Sequence, residues 1–435
     1  MTEDKVTSTH PKYDELSEPR QAFADVKAGT RAMRKAGEKY LPKYPAESPE
    51  AFKRRRSAST IDGIVQGGVE TLCGAVFEGE IDTTKVKIDK AILEDFDNLG
   101  THFSVFVRDA FEASFDGCSV IVIDMPEETD DSRKLKAERG AEADKILNIR
   151  PYAILYKACD VTNWRFEKNI ITGIKELVLL VVKIEREIPI GSFGSKKVTE
   201  YRVWKKEGNA VIWELWVPKD DSEAEYILDK SGPCVNVTQI PASFIGDVCD
   251  PPKLLGETDL EIKAYQKESS YDEIEYLSPP TLVTKGYDSD EPIAVGAEAH
   301  IKLGADPAAD AFYLQMDAAG HDTLKQTFKD VKAEIKGRVN MIVSATMPKE
   351  KTATETISED KDKQARLVVW AQQLKDAVER ALGFAAEFMG KGADGGGEIV
   401  LRTKWDIAKE QAEIDAQRKS EEHQANIAVM GAKAK

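Results

Sequence analysis

The sequence predicts an α+β fold in which long helices flank an antiparallel β-sheet. Between residues 150 and 228, β-branched and aromatic residues form short runs separated by Gly, Asn and Lys turns, which is typical of an antiparallel meander. Between residues 366 and 389, apolar residues recur every three to four positions, which gives a helix one apolar stripe. With 435 residues, of which 41% are hydrophobic, the chain is long enough for two or three domains.

The first half of the chain is expected to begin with helices and to continue with strands. Residues 1–20 are polar and are expected to be mobile, as chain termini commonly are. A charged helical insertion is expected between residues 125 and 150. The predicted helices cover residues 20–34, 51–73 and 104–114, and the predicted strands cover residues 118–124, 152–156, 162–166, 177–187, 199–205 and 210–217.

The second half is predicted to be mainly helical. A helix at 257–277 ends before Pro279 and Pro280, which lack the backbone N–H that a helix needs. A strand-rich segment at 281–311 and a helix that ends near Gly337 follow. Residues 347–360 are expected to form a long polar loop, and a loop of this length is unusual unless it is functional or mobile. The later predictions are a helix that stops at the glycine-rich run 390–397, a strand at 398–401 and a charged helix at 404–430.

Charge is unevenly distributed along the chain, whose formal net charge is −16. Residues 257–300 carry eleven Asp or Glu against three Lys, whereas residues 31–56 carry nine Lys or Arg against three Glu and end in the run KRRR at 53–56. The overall acidity argues against a protein that grips nucleic acid by counterion release. Both segments are expected to be solvated faces, and for the basic run contact with phosphate or with an acidic neighbouring subunit is the alternative.

The sequence carries few signals of compartment. The five cysteines are widely spread without a C-x-x-C spacing, so we expect reduced thiols rather than disulfides or a zinc site. The N-terminal residues lack the charged and apolar blocks of a signal peptide, so export by that route is not expected. No apolar run reaches the roughly 18 residues of a membrane helix, so no membrane span is expected.

Motifs for chemistry are scarce. The five histidines lack metal-binding spacings, and there is no G-x-S-x-G nucleophile motif. The run GSFGSK at 191–196 lacks the spacing and the terminal Lys-Ser/Thr of a phosphate loop. Isolated acidic residues that could bind a cation lie at Asp247, Asp250, Asp288 and Asp290, although such residues in loops usually do not. We therefore expect no catalytic residue, no metal, no cofactor and no enzymatic activity.

An ordered set of short motifs between residues 30 and 390 resembles the tailed-bacteriophage portal proteins, in particular a subfamily first described only as a phage domain of unknown function. Each motif is weak alone, but the ordered set is fairly specific. The motifs are GEKYLP at 37–42, Phe52 with RRRSA at 54–58, residues 67–77 ending in GAVF, DGC at 116–118, VIDMP at 122–126, RPY at 150–152, Asn163-Trp164, Ile240-Pro241 and KTATET at 351–356.

The resemblance implies a portal-type fold with a helical and antiparallel β wing, a two-helix stem, a small α/β clip, a tunnel loop and a short helical crown. The implied boundaries are 1–255 for the wing, 256–278 and 316–340 for the stem helices, 279–315 for the clip, 341–362 for the tunnel loop, 363–396 for a long wing or channel helix, and 397–435 for the crown.

The resemblance also implies a function: a ring, expected to be a dodecamer, at one capsid vertex of the virion, assembled in the host cytoplasm, through which double-stranded DNA is packaged and ejected. The implied partners are the terminase large subunit, the head-to-tail adaptor, and the major capsid and scaffolding proteins. An acidic wall would repel phosphates and let DNA slide, while a few cations near the constriction would steady it. The implied residues are Arg338, Lys349 and Lys351 at the tunnel loop, Glu261, Glu268, Asp272 and Glu275 on the acidic wall, and Asp288, Asp290 and Glu291 on the clip.

Two other functions are considered beside this one. One is a different phage head-assembly protein, such as an adaptor or a minor capsid component. The other is a cytosolic metal-dependent enzyme that acts on phosphorylated or nucleic-acid substrates, which predicts a cluster of converging carboxylates. For Lys349 and Lys351, ion pairs with Glu350 or Glu355 on a solvated loop are the alternative to contact with DNA.

Overall fold

The computed structural model combines helices with antiparallel sheets, which confirms the predicted α+β class. The chain forms two compact units: unit 1 comprises Met1–Ala24, Gly67–Leu255 and Val339–Lys435, and unit 2 comprises Asp25–Gln66 and Gly256–Arg338. The structure describes residues 5–126, 130–140, 147, 149–169, 173–220, 225–277, 281–285, 308, 310–314, 318–344, 353–404, 406, 407, 410, 411, 414 and 418.

The described helices are numbered here in chain order. They are α1 (Pro11–Ala28), α2 (Thr30–Ala36), α3 (Pro49–Ala58), α4 (Ile64–Val76), α5 (Lys90–Glu94), α6 (Phe103–Ala113), α7 (Asp130–Arg139), α8 (Leu255–Leu277), α9 (Ala318–Ser344) and α10 (Ala353–Phe388). The described strands are β1 (Ser119–Asp124), β2 (Tyr152–Lys157), β3 (Val161–Lys168), β4 (Lys175–Ile190), β5 (Gly194–Glu207), β6 (Ala210–Pro218), β7 (Tyr226–Pro233), β8 (Ala242–Ile245), β9 (Thr281–Lys285) and β10 (Asp310–Leu314).

The described residues of unit 1 form two antiparallel sheets. In the three-stranded sheet, β1 lies between β2 and β8 and is buried along its whole length, as its apolar sequence predicts. The five-stranded sheet is a meander in which β3, β4, β5, β6 and β7 are neighbours in sequence order. This confirms the predicted meander with one correction, since β2 pairs with β1 rather than with the meander.

Aromatic side chains form much of the core of unit 1. Phe96 packs edge-on against Phe103 and Phe106, with ring centroids 5.1 Å apart in both pairs. Phe115 contacts Phe111 in the same way at 5.5 Å and Trp370 of α10 at 5.7 Å. Helix α6 presents its apolar face to this cluster, as its sequence periodicity predicts.

In unit 2, α8 and α9 form an antiparallel pair. Tyr271 contacts Phe328 near one end of the pair, with ring centroids 5.5 Å apart, and Gly256 faces Arg338 near the other end. Ala264, Val331 and Ile335 form a buried cluster between the helices, joined by Ile64 and Leu260. The strands β9 and β10, which lie in the chain between the two helices, pair with each other in a two-stranded antiparallel sheet.

Two predicted helices are each interrupted. The helix predicted at 20–34 is divided into α1 and α2 at Gly29, whose φ of 81° is a conformation that favours glycine. The helix predicted at 51–73 is divided into α3 and α4 around Gly63, where φ is 70°. The sequence Asp62-Gly63 is a turn signal that the apolar periodicity of this segment obscured.

The N-terminal segment is more ordered than the sequence predicted. Helix α1 begins at Pro11, and the His10 ring stacks on Trp164 of β3 at a centroid distance of 4.1 Å. The backbone N–H of His10 donates to the carbonyl of Thr162 at 2.9 Å. The expectation of a mobile segment through residue 20 is therefore wrong for this part of the chain.

The polar loop predicted at 347–360 is wrong for residues 353–360, because α10 begins at Ala353. Residues 347–352 lie outside the described residues. Residues 353–360, ATETISED, contain neither Gly nor Pro, so nothing in them stops a helix. They also carry no apolar stripe, which is why periodicity could not identify them as helical. The strand predicted at 398–401 is reduced to an isolated bridge between Val400 and Asp82. Residues 405, 408, 409, 412, 413, 415–417 and 419–430 of the predicted last helix lie outside the described residues.

Candidate functional site: the charged helix pair of unit 2

The α8–α9 pair carries many of the residues to which the sequence assigned a function. Lys332 of α9 occupies its centre. The ammonium donates hydrogen bonds to both carboxylate oxygens of Glu268 on α8, each at 2.8 Å, and forms an ion pair with Asp62 at 2.9 Å. The Lys332 side chain is only 15% exposed, so solvent screens these contacts weakly. Lys332 therefore joins α8, α9 and the turn before α4.

Burial by itself would lower the pKa of the Lys332 ammonium. The hydrogen bonds to Glu268 and Asp62 outweigh that effect and raise its pKa above the ordinary value. The ammonium also lies 5.1 Å from the ring centre of Phe328, in a cation–π contact. Lys332 is thus held in its charged form inside the helix pair.

Glu261 is buried, with 1% of its surface exposed. Its carboxylate accepts the backbone N–H of Ile64 at 2.8 Å and of Val65 at 2.7 Å, both in the first turn of α4. These N–H groups have no partner inside their own helix, and the helix dipole favours a negative charge at this end. Burial raises the pKa of Glu261, and the N–H bonds oppose that shift. The assignment of Glu261 to an exposed acidic wall is therefore wrong; it caps a helix.

The other three residues assigned to the wall differ in exposure. Glu268 forms an ion pair with Lys332, and the Glu268 side chain is 20% exposed. Asp272 is partly buried, and burial raises its pKa, assisted by the negative charges of Glu268 and Glu275. Glu275 is exposed. Residues 268, 272 and 275 share one face of α8, and only its outer part is available to a charged ligand.

Arg338, assigned to the tunnel loop, lies on α9. Its guanidinium pairs with Glu334 one turn earlier at 2.7 Å, and both side chains are more than 40% exposed. The exposed residues of α9 carry both signs, with Lys325, Lys329, Lys336 and Arg338 beside Asp322, Asp330 and Glu334. The exposed face of α9 is therefore mixed rather than acidic.

The basic run at 53–56 is largely internal to unit 2. Arg55 is buried, pairs with Glu47 at 2.7 Å and lies over the ring of Tyr44. Arg54 binds Glu273 of α8 and lies over Tyr276. Arg54 and Arg55 thus have acidic partners within the same chain, but the Arg54 side chain is 39% exposed and Lys53 is exposed. The expectation of a solvated basic face is therefore wrong for Arg55, which is buried.

Five predicted site residues lie outside the described residues. They are Lys349 and Lys351 of the tunnel loop, and Asp288, Asp290 and Glu291 of the clip.

Sequence reasoning missed a partly buried lysine in unit 1. Lys253 precedes α8, and its ammonium donates to Ser114 Oγ at 2.6 Å. The rings of Phe111, Phe115 and Trp370 surround it, with centroids at 5.4, 5.3 and 5.2 Å. Burial lowers the pKa of Lys253 to about 8. No local sequence pattern marks it, because its aromatic partners come from distant parts of the chain.

Lys332, in contrast, left a weak signal in the sequence. It follows Val331 and lies one turn after Phe328, at the edge of the apolar stripe of α9. A charged residue at the border of an apolar stripe commonly faces a partner across the helix interface. That partner, Glu268, could not be identified before the pairing of α8 with α9 was known.

The meander of unit 1 contains an open cleft of about 710 Å³ lined partly by basic side chains. Two of them have carboxylate partners: Lys205 binds Glu214 at 2.9 Å, and Lys206 binds Glu176. The cleft is therefore not an uncompensated anion site. Within the described part of the chain, no three His, Cys, Asp or Glu side chains converge as they would around a metal ion.

The described helices include none that is both long enough and apolar enough to span a membrane.

Part of the chain matches a known protein family. Residues 254–389, about a third of the chain, match a family described as a domain of unknown function, DUF4055. The matched segment contains α8, β9, β10, α9 and α10, and it therefore includes the charged helix pair. No curated protein matches the sequence.

Proposed function

We propose that this chain is a portal-type subunit of a tailed bacteriophage. Copies would close into a ring, expected to be a dodecamer, around a channel through which double-stranded DNA is packaged and ejected. The antiparallel pair α8–α9, with the small sheet β9–β10 in its connection, carries the proposal. Two stem helices joined through a small clip are what the resemblance implies for this segment. The family match over residues 254–389 is compatible with the proposal without naming a function.

The proposed regions follow from this assignment. Residues 1–255 form the wing, α8 and α9 the stem, residues 279–315 the clip, and residues 397–435 a short crown. The tunnel loop is proposed to lie between the end of α9 at Ser344 and the start of α10 at Ala353, inside the range 341–362. The clip would bind the terminase large subunit during packaging and the head-to-tail adaptor afterwards. The ring would occupy one capsid vertex, in contact with the major capsid and scaffolding proteins.

The charges of the stem favour a passage rather than a tight binding site. Lys332 is neutralised by Glu268 and Asp62, so it adds no exposed positive charge. Asp259 and Glu275 are exposed on α8 and are the acidic residues that could repel a passing phosphate backbone. Arg338, paired with Glu334, would contribute only a shallow attraction. Such contacts with phosphate position a duplex without reading its sequence.

Electron microscopy of the purified full chain, together with native mass spectrometry, tests the proposal. The expected result is rings with a central hole and a mass equal to an integral number of chains, near twelve. Closed rings without a hole, or monomers at all concentrations, would overturn it. An adaptor or minor capsid protein would bind to preformed rings of another protein instead.

The tunnel-loop assignment has its own test. Lys349→Ala combined with Lys351→Ala is expected to reduce DNA packaging or DNA retention in assembled particles without preventing ring formation. The exposed lysines Lys157 and Lys168, changed to Ala, provide a control with the same loss of charge. Unchanged packaging and retention in the loop variant would exclude the role of Lys349 and Lys351.

A further inference from the structure

The hairpin formed by β4 and β5 is longer than its neighbours in the meander. β4 and β5 pair with each other as far as Ile190 and Gly194. The pairing of β3 with β4 ends at Val182, and the pairing of β6 with β5 ends at Tyr201. Beyond these two positions the described strands of the hairpin pair only with each other. We call residues 186–197 the arm.

The arm extends well past the rest of the sheet. The eight residues from Lys183 to Ile190 span about 25 Å at the usual rise of an extended strand. At the tip, Phe193 is fully exposed and Ile190 is 55% exposed. A two-stranded ribbon is only marginally stable in water, and exposed large apolar side chains commonly mark contact sites. Both features indicate that the arm lies against another surface.

The arm is basic on an acidic protein. It contains Arg186, Lys196 and Lys197 against the single acidic residue Glu187, whereas the whole chain has a net charge of −16. Arg186 pairs with Glu200 at 2.7 Å and Lys197 pairs with Glu185 at 3.4 Å, both at the base of the hairpin. The Arg186 and Lys197 side chains are still 59% and 68% exposed, and exposed ion pairs are weak. The cations therefore stay accessible to an acidic surface.

The edge of the same sheet that is formed by β7 offers an acidic surface of this kind. β7 is the outermost strand and pairs only with β6 among the described strands. Ile227 and Leu228 on β7 are 48% and 47% exposed. Among the described residues beside this edge, Asp220, Glu225 and Asp229 are acidic and Lys219 and Lys230 are basic. Glu225 pairs with Lys219 at 2.7 Å, but both side chains are more than half exposed, so this ion pair is weak. The β7 edge thus combines open backbone hydrogen-bonding groups, exposed apolar side chains and negative charge.

The opposite edge of the sheet is formed by β3 and, unlike the β7 edge, is covered in part by the N-terminal segment. There, the N-terminal segment runs along β3, where His10 N–H binds the carbonyl of Thr162 and Asn163 Nδ2 donates to the carbonyl of Ser8, both at 2.9 Å. In the same copy the arm cannot cover β7, because β6 lies between β5 and β7 and the arm continues outward along its own strands. The arm and the β7 edge of one copy are therefore complementary in charge, but they cannot contact each other within that copy.

We propose that the arm of one copy lies along the β7 edge of a second copy. Phe193 and Ile190 would cover Ile227 and Leu228, and the cations of the arm would face Glu225 and Asp229. This contact joins two different surfaces, so the first copy keeps its β7 edge and the second keeps its arm for further neighbours, as a closed ring requires. The inference rests on the ring assembly proposed above and assigns one of its contacts.

Photo-cross-linking tests the contact directly. Phe193→p-benzoylphenylalanine is introduced into the full chain, and ¹⁴N-labelled and ¹⁵N-labelled chains are mixed before assembly. The expected result is mixed-isotope cross-links from position 193 to residues 226–233. Ile174, which is 60% exposed and directly precedes β4, is the control position and should not form them. Cross-links to other segments of the chain, to added duplex DNA, or only within one copy would overturn the proposal.

Charge reversal gives a second test. Lys196→Glu with Lys197→Glu is expected to raise the protein concentration at half assembly by about tenfold, because several weak ion pairs become repulsive. Adding Glu225→Lys and Asp229→Lys should restore assembly. Lys168→Glu with Lys175→Glu reverses the same charge elsewhere on the sheet and should leave assembly unchanged.

The two proposals fail differently. If the unaltered protein forms rings, but the reversal leaves assembly unchanged and position 193 gives no cross-link to β7, the arm contact is wrong and the portal assignment stands. If the unaltered protein forms no ring under any condition, the portal assignment fails first.

Discussion

Lys253 and Trp370 form a cation–π contact in which the ammonium lies 5.2 Å from the centre of the indole ring. The same ammonium donates a hydrogen bond to Ser114 Oγ at 2.6 Å. Trp370 belongs to α10, whereas Ser114 directly follows α6. A single side chain therefore ties α10 to the phenylalanine cluster within unit 1. The partly buried ammonium contacts three aromatic rings rather than a carboxylate.

Trp370→Leu should weaken the attachment of α10 to this cluster. The variant loses the contact with Lys253 and the edge-on contact with Phe115, so the free energy of unfolding should fall by about 2 kcal/mol. Trp370→Phe keeps an aromatic ring and should lose less. Hydrogen exchange of the α10 amides measures the effect. Val368→Ala, at an exposed position of the same helix, is the control, and an equal effect there would exclude a specific contribution of Trp370.

The burial of Lys253 predicts a pH dependence of stability. The pKa is about 8 in the folded protein, below the ordinary lysine value of 10.5, so the unfolded chain binds more protons between these two values. Stability contributed at this site should therefore rise as pH increases from 8 to 10.5. Comparing the free energy of unfolding of the unaltered protein with that of Lys253→Met isolates the effect. Between pH 8 and 10.5 the stability of the unaltered protein relative to the variant should increase by about 3 kcal/mol.

The exposed residue Lys157, changed to Met, controls for the general effect of alkaline pH on the protein. The Lys157→Met difference should stay constant across the same range. A constant difference for Lys253→Met as well would show that its ammonium is solvated in the folded state.

Local patterns predicted most of the secondary structure. The apolar run VIVI within β1, the alternating strands of the meander and the two prolines after α8 each predict their structure from a few neighbouring residues. The errors occur where local signals compete or vanish. Gly63 interrupts a segment that is otherwise apolar and helical, while residues 353–360 form a helix without any apolar stripe.

The charged site could be predicted only in part, since the sequence shows which residues are charged but not which partners their side chains contact in the fold. Glu261, Glu268 and Glu275 lie at helical spacing on one acidic helix and are indistinguishable by pattern. In the structure Glu261 caps α4, Glu268 binds Lys332, and Glu275 is exposed. Their roles differ because Glu261 and Glu268 bind partners from distant segments of the chain, α4 and α9. Tertiary pairing decides such roles, and a single sequence does not contain it in readable form.

Lys332→Met should destabilise the helix pair by more than the loss of its hydrogen bonds alone. The change leaves Glu268 and Asp62 close together without the cation that compensates them, and Glu268 is only 20% exposed. Removal of one partner from a largely buried ion pair costs about 3 kcal/mol. Chemical unfolding measures the loss, and the double variant with Glu268→Gln should recover about 1 to 2 kcal/mol, because the orphaned charge is removed as well.

The pair Arg338–Glu334 on the same helix provides the matched control. Both side chains are more than 40% exposed, so Arg338→Met should change the free energy of unfolding by no more than about 0.5 kcal/mol. Equal losses for Lys332→Met and Arg338→Met would mean that solvent screens the Lys332 contacts despite their burial.

Glu261→Ala should release the first turn of α4. The carboxylate accepts hydrogen bonds from the N–H groups of Ile64 and Val65. Without it, the buried N–H of Val65 and the partly buried N–H of Ile64 would lose this partner. Each buried donor without a partner costs about 1 to 3 kcal/mol, so amide exchange at both positions should accelerate at least tenfold. Glu261→Gln retains a carbonyl acceptor without the charge, so its amide exchange rates should lie between those of the unaltered protein and Glu261→Ala.

Asp259→Ala is the control, because Asp259 is exposed on the same helix, and it should leave both amides protected. If Ile64 and Val65 keep their protection in Glu261→Ala, water or another acceptor replaces the carboxylate, and Glu261 would again be free for a role outside the helix cap.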